Sequence, residues 1–214
     1  MARVGHDCGG SLISDQWGVT AAHCVTRQIG FYEFEVEVNK IVELGQHNLS
    51  SVAIRKKVER VIVHEQYEGM PFIKNDIALL KLEDPVDFDQ YPNIRPICLP
   101  SNKNENYTES RAIVAGWGKT GEYEGQSYVL LEATVEVLSN ETCKRILKRS
   151  YHDSIICAKT TGNKEENSLQ GHCNGDSGDF TLTYLDKPNH SVILSFEYPL
   201  MPFTKKKLIN QDIG

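Results

Sequence analysis

The stretch Leu131-Glu132-Ala133-Thr134-Val135-Glu136-Val137-Leu138 decides the class of fold, because apolar and polar side chains alternate through Thr134-Val135-Glu136-Val137. A period of two puts one face of an extended strand on a core and the other face in water. Phe34-Glu35-Val36-Glu37-Val38 carries the same alternation and predicts a second half-buried strand. Outward from these, strand-like runs at 34–44, 58–63, 77–82, 112–116, 131–138, 180–184 and 192–196 are separated by turn residues. Many short strands predict an all-β sandwich or barrel. One helix is expected in the body of the chain, over 141–148 after Ser139-Asn140, with a capping side chain ahead of it, an acidic residue first and basic residues last.

The chain has 214 residues, the size of one all-β enzyme domain or at most two small ones. The polar segment 101–110 reads as an exposed connection, dividing a single domain into halves of about 1–100 and 101–214. A net charge of −6 with no basic stretch argues against nucleic acid as a partner. Apolar runs such as Ile77-Ala78-Leu79-Leu80 fall far short of the roughly 20 residues a bilayer span needs, so no membrane partner is expected. Lys205-Lys206-Lys207 reads as a solvated tail.

Six cysteines, Cys8, Cys24, Cys98, Cys143, Cys157 and Cys173, lie far apart with no C-x-x-C pair and no H-E-x-x-H, so disulfides are expected and no metal or other cofactor is. Asn48, Asn106, Asn140 and Asn189 each begin an N-x-S/T tripeptide, which suits an extracellular glycoprotein. Residues 1–7 have no apolar core, so no signal peptide is read there.

Three segments carry chemistry: Val19-Thr20-Ala21-Ala22-His23-Cys24, Asn75-Asp76-Ile77-Ala78-Leu79-Leu80 and Cys173-Asn174-Gly175-Asp176-Ser177-Gly178. A serine hydroxyl is a poor nucleophile at neutral pH and needs an imidazole to take its proton. The imidazole needs a buried carboxylate to fix its tautomer and stabilise its cation. The small residues around Ser177 allow a tight turn that exposes the hydroxyl and aims the N–H groups of Gly175 and Ser177 at a developing oxyanion. Taken singly, a His after two alanines, an Asp after Asn and a Gly-Asp-Ser-Gly loop are usually structural; together, in the order His, Asp, Ser, they point to nucleophilic catalysis. His6, His47, His64, His152 and His190 have no such context and read as surface or packing residues.

With Cys8-Gly9-Gly10-Ser11-Leu12-Ile13, Arg95-Pro96-Ile97-Cys98-Leu99-Pro100, Ala115-Gly116-Trp117-Gly118 and Gly175-Asp176-Ser177-Gly178 in order, the sequence resembles the trypsin/chymotrypsin family of serine endopeptidases, nearest in look to arthropod clip-domain proteases. The resemblance implies two antiparallel six-stranded barrels with the active site between them, incomplete here at both ends. It implies His23, Asp76 and Ser177 as the catalytic triad of an acyl-enzyme mechanism, with protein or peptide substrates and protease inhibitors as partners. It implies Cys8–Cys24 and Cys143–Cys157 disulfides. Cys98 stands where the family bonds a pro-segment and Cys173 where it bonds a later cysteine. Neither partner is in this sequence, so the two are free or joined to each other, although the family layout sets them far apart.

Several positions depart from the family pattern. Asp176 is the expected partner of a freed N-terminal amine, and with only seven residues before Cys8 no such amine reaches it, which implies a zymogen-like site. The specificity pocket is expected from Gly171, His172, Ser195, Phe196 and Glu197. Gly171 places no charge on the pocket floor, which favours a small or apolar side chain before the scissile bond, and Glu197 replaces a glycine at the pocket mouth. Asp179 and Phe180 replace a Gly-Pro turn, and Gln46 stands where calcium-binding members carry Glu. The rival reading is a catalytically silent homologue that binds partners, or an inactive fragment of an enzyme.

Overall fold

Along Ala78, Leu79, Leu80, Lys81 and Leu82 buried positions alternate with half-exposed ones, and Ala78, Leu80 and Leu82 are almost wholly enclosed. The structure, a computed structural model, describes residues 1–5, 8–30, 33–37, 39–70, 73–100, 106–118, 125–160, 181–185, 191–194 and 207–208. Its first half comprises β1 (Ala2–Val4), β2 (Cys8–Leu12), β3 (Trp17–Thr20), a 3-10 turn (Ala22–Cys24), β4 (Thr26–Gln28), β5 (Phe34–Val36), β6 (Ile41–Leu44), β7 (Ile54–Val63) and β8 (Ala78–Leu82).

Six of these strands close into an antiparallel barrel in the order β1-β2-β3-β8-β7-β6. Ring closure depends on β1, whose Ala2 faces Gly10 of β2 on one side and Leu44 of β6 on the other. The sequence shows no strand there, because three residues are too few to carry a period, yet they complete the ring, so the incompleteness expected at the N-terminus does not extend to this barrel. Gly10 is required by close approach, since a Cβ there would lie 2.8 Å from the carbonyl oxygen of Val19 on β3.

Val4, Val25, Leu44, Leu80 and Leu82 fill the barrel. Leu80→Ala would leave a cavity between β3 and β7, with an expected loss of about 2–5 kcal/mol, read from the midpoint of chemical unfolding.

The described strand of the 34–38 alternation, Phe34–Val36, does not face this core, a second correction. Val36 is 40% exposed. β5 pairs with β4 in a separate two-stranded ribbon, and the ring of Phe34 rests on Tyr67 with centroids 4.9 Å apart. Period two marks a strand with two unlike faces, and a ribbon standing off the barrel satisfies it as well as a wall strand does.

The second half comprises β9 (Arg111–Gly116), β10 (Leu131–Val137), α1 (Asn140–Leu147), a 3-10 turn (Lys148–Ser150), β11 (Ala158–Thr160), β12 (Thr181–Leu185), β13 (Ser191–Leu194) and β14 (Lys207–Leu208). They form a six-stranded sheet in the order β11-β10-β9-β12-β13, with β14 paired to the start of β10. Among the described residues this sheet is not closed, so the second barrel read from the sequence is represented by a sheet. Here the alternation does mark the core, with Ala133, Val135 and Val137 of β10 meeting Ala112 and Val114 of β9.

Helix α1 begins where expected. The Ser139 hydroxyl accepts the Thr142 N–H at 3.2 Å, and Glu141 lies in the first turn. The turn after β6 docks the barrel onto the second sheet: the His47 carbonyl accepts the indole N–H of Trp117 at 3.1 Å and the Leu130 N–H at 2.7 Å. The left-handed backbone that this turn requires falls on Gly45, at φ 77°.

Candidate active site

Strand pairing explains why two residues 53 positions apart meet. In the β3–β8 register Thr20 stands opposite Ala78, so His23, three residues past Thr20, and Asp76, two residues before Ala78, emerge at the same end of the barrel. Ala21 and Ala22 are fully buried, which leaves room under the turn for little more than a methyl group. Thr20 ties the turn to β2 through its hydroxyl, which donates to the Gly9 carbonyl at 2.8 Å, and Thr26 donates to the Ala22 carbonyl at 2.9 Å.

Asp76 is only 7% exposed, and its carboxylate is held by His23 twice. Oδ1 accepts the backbone N–H of His23 at 2.9 Å and Oδ2 lies 2.8 Å from the ring Nδ1. A carboxylate can only accept, so the ring proton sits on Nδ1 and the lone pair is left on Nε2. Two charge-assisted hydrogen bonds offset the desolvation of the buried anion. The arrangement produces an oriented base, with an imidazole 21% exposed, its tautomer fixed and its prospective cation already faced by a negative charge.

A disulfide between Cys8 and Cys24 braces the turn from β2. The donor atoms of Cys8, His23 and Cys24 lie within 4.8 Å of one another. The sulfurs are bonded to each other, however, and neither is the thiolate that a metal takes. A second disulfide, Cys143–Cys157, closes the loop that contains α1, and Cys98 is free and exposed.

Of the residues singled out from the sequence, His23 and Asp76 are brought together. Gly171, His172, Cys173, Gly175, Asp176, Ser177, Asp179, Phe180, Ser195, Phe196 and Glu197 lie outside the described residues, as does Asn189. Gln46 donates to the carbonyls of Leu49 and Ser51 and so holds the turn between β6 and β7. The sequence gives no sign of one further contact on the carboxylate side, between Asn75 and Ser154.

A sequence model of the trypsin family matches residues 1–179. The chain is 37% identical over 171 residues to serine protease filzig of Drosophila melanogaster, covering 80% of this chain and 10% of that protein. It is 33% identical over 184 residues to serine proteinase stubble of the same organism, covering 81% and 21%. It is 32% identical over 175 residues to human granzyme M, covering 81% and 62%. The chain thus spans from a tenth to under two thirds of the length of these relatives. In architecture it is similar to neuropsin, a serine protease expressed in the limbic system of mouse brain, with a TM-score of 0.70, 24% identity and coverage of 96% and 85%.

Proposed function

The chain belongs to the trypsin family of serine proteases, and from that membership we propose that it hydrolyses peptide bonds through His23, Asp76 and Ser177. The observation that carries this reading is the Asp76 carboxylate gripping both the backbone and the ring of His23. In the proposed reaction Nε2 of His23 takes the proton of Ser177 as its oxygen attacks the carbonyl carbon. The N–H groups of Gly175 and Ser177 stabilise the oxyanion. The imidazolium then protonates the leaving amine, and a water repeats the sequence to release the acyl group.

Protein or peptide substrates follow from the family. We assign the finer features to the same proposal: Gly171 favours a small or apolar residue before the scissile bond, and exposed Cys98 is available to a pro-segment. Cleavage of a mixed peptide library, mapped by mass spectrometry, tests this reading. The expected result is cuts after small or apolar residues that vanish in Ser177→Ala. Cuts after Lys or Arg would contradict the pocket assignment, and no cuts by the unmodified protein would contradict the enzyme.

An extracellular location suits the two disulfides, and no helix among the described residues is long and apolar enough to cross a membrane. Two of the N-x-S/T sites have their asparagine exposed and folded back on the acceptor residue. The Asn48 side chain accepts the Ser50 N–H at 2.8 Å and the Asn106 side chain accepts the Thr108 N–H at 3.0 Å. Asn140 instead opens α1, where Thr142 is engaged by the cap. Glycans are expected at Asn48 and Asn106 and absent from Asn140; enzymatic deglycosylation with peptide mapping reads this as Asn-to-Asp conversion at the first two.

A further inference from the structure

Asn75, immediately before Asp76, has a φ of 51°, a left-handed backbone that Asn adopts more readily than other residues with a side chain. Three hydrogen bonds hold it. Its side-chain amide donates to the Gln66 carbonyl at 2.8 Å, and its own carbonyl accepts the Ile77 N–H at 2.8 Å. Both of these come from the barrel. The third comes from the other half of the chain: the Asn75 N–H donates to the hydroxyl oxygen of Ser154 at 3.0 Å, across 79 residues of sequence.

The Asn75 N–H can only donate, and the hydroxyl that receives it is itself oriented by His152. Its Nδ1 accepts the Ser154 N–H at 3.1 Å, so it presents a lone pair, and the Ser154 hydroxyl oxygen lies 2.8 Å from the same nitrogen. With the ring in that tautomer the hydroxyl hydrogen shares the same lone pair, and the hydroxyl oxygen keeps its own lone pairs for the Asn75 N–H. The loop carrying this pair is fastened by the Cys143–Cys157 disulfide and by the Ile155 N–H donating to the His152 carbonyl at 3.0 Å.

We propose that Ser154, oriented by His152, is a positioning residue for the reaction: it fixes the backbone of Asn75 and through it the angle at which Asp76 meets His23. The kinetic part of this inference rests on the proposed hydrolysis; the geometric part does not. Small misplacements of a catalytic group are costly because the productive geometry is narrow.

The test compares Ser154→Ala with Ser154→Thr in the whole chain. Ser154→Ala is expected to lower kcat about fivefold, the rate equivalent of one ordinary neutral hydrogen bond, with KM unchanged. The proton resonance of His23 Nδ1–H should shift and broaden. Ser154→Thr, which keeps the hydroxyl, should restore both. Three results would overturn the proposal: an alanine variant with unaltered kcat and resonance, a threonine variant as impaired as the alanine one, or a fall in melting temperature with the resonance unmoved. If the chain hydrolyses nothing, the resonance alone decides, so loss of the hydrolytic reading and loss of this one are separable.

Discussion

Ser177→Ala is expected to reduce kcat by about a millionfold on a peptide substrate, the scale seen when the nucleophile of such a triad is removed. A loss this large follows from the proposed triad, whose three groups would act as a unit. Without the hydroxyl, His23 has no proton to accept at the point of attack, and the only nucleophile left is water, which no covalent step holds in place. KM should change little, since the substitution removes a few atoms from a site whose binding contacts lie mostly elsewhere. Steady-state turnover of wild type and variant checks the first statement, and the unchanged KM checks the second.

Asp76→Asn is expected to lower kcat by about 10⁴-fold while leaving the fold intact. The carboxylate now accepts from His23 twice, at 2.9 Å from the backbone N–H and 2.8 Å from Nδ1. A carboxamide offers one oxygen and one NH₂. If the oxygen keeps the backbone N–H, the NH₂ faces Nδ1 and can only donate to it, which moves the ring proton to Nε2. The base would then present a hydrogen where it must present a lone pair. The barrel core is untouched, so the unfolding midpoint should move by far less than for Leu80→Ala. A variant with both activity and stability lost would contradict the tautomer argument.

How much of this was legible in the sequence differs from element to element. Thr134-Val135-Glu136-Val137 is legible because a wall strand with one wet face leaves a period of two, and Ser139 marks the start of α1 because a hydroxyl at that position satisfies an otherwise unpaired N–H. Phe34-Glu35-Val36 has the same period yet stands off the core, since alternation reports two unlike faces and not what covers them. β1 leaves no sign in the sequence because its three residues owe their strand to β2 and β6 on either side, a tertiary cause with no local trace.

At the site, His23 and Asp76 were legible through their flanking motifs, and β3–β8 pairing is what joins them. Ser154 was not legible at all. A hydroxyl 79 residues from Asn75 in a polar loop looks like any other surface serine, and His152 beside it reads as ordinary for the same reason.

The central claim is that His23, with its tautomer set by Asp76, activates Ser177. Covalent labelling by a fluorophosphonate, with the adduct located by mass spectrometry, tests it most directly. The account predicts a single adduct on the peptide containing Ser177, formed rapidly by the unmodified protein, slowly by His23→Ala and not at all by Ser177→Ala. Failure of the unmodified protein to label, or labelling that is indifferent to His23, would contradict it and favour a partner-binding homologue that performs no hydrolysis.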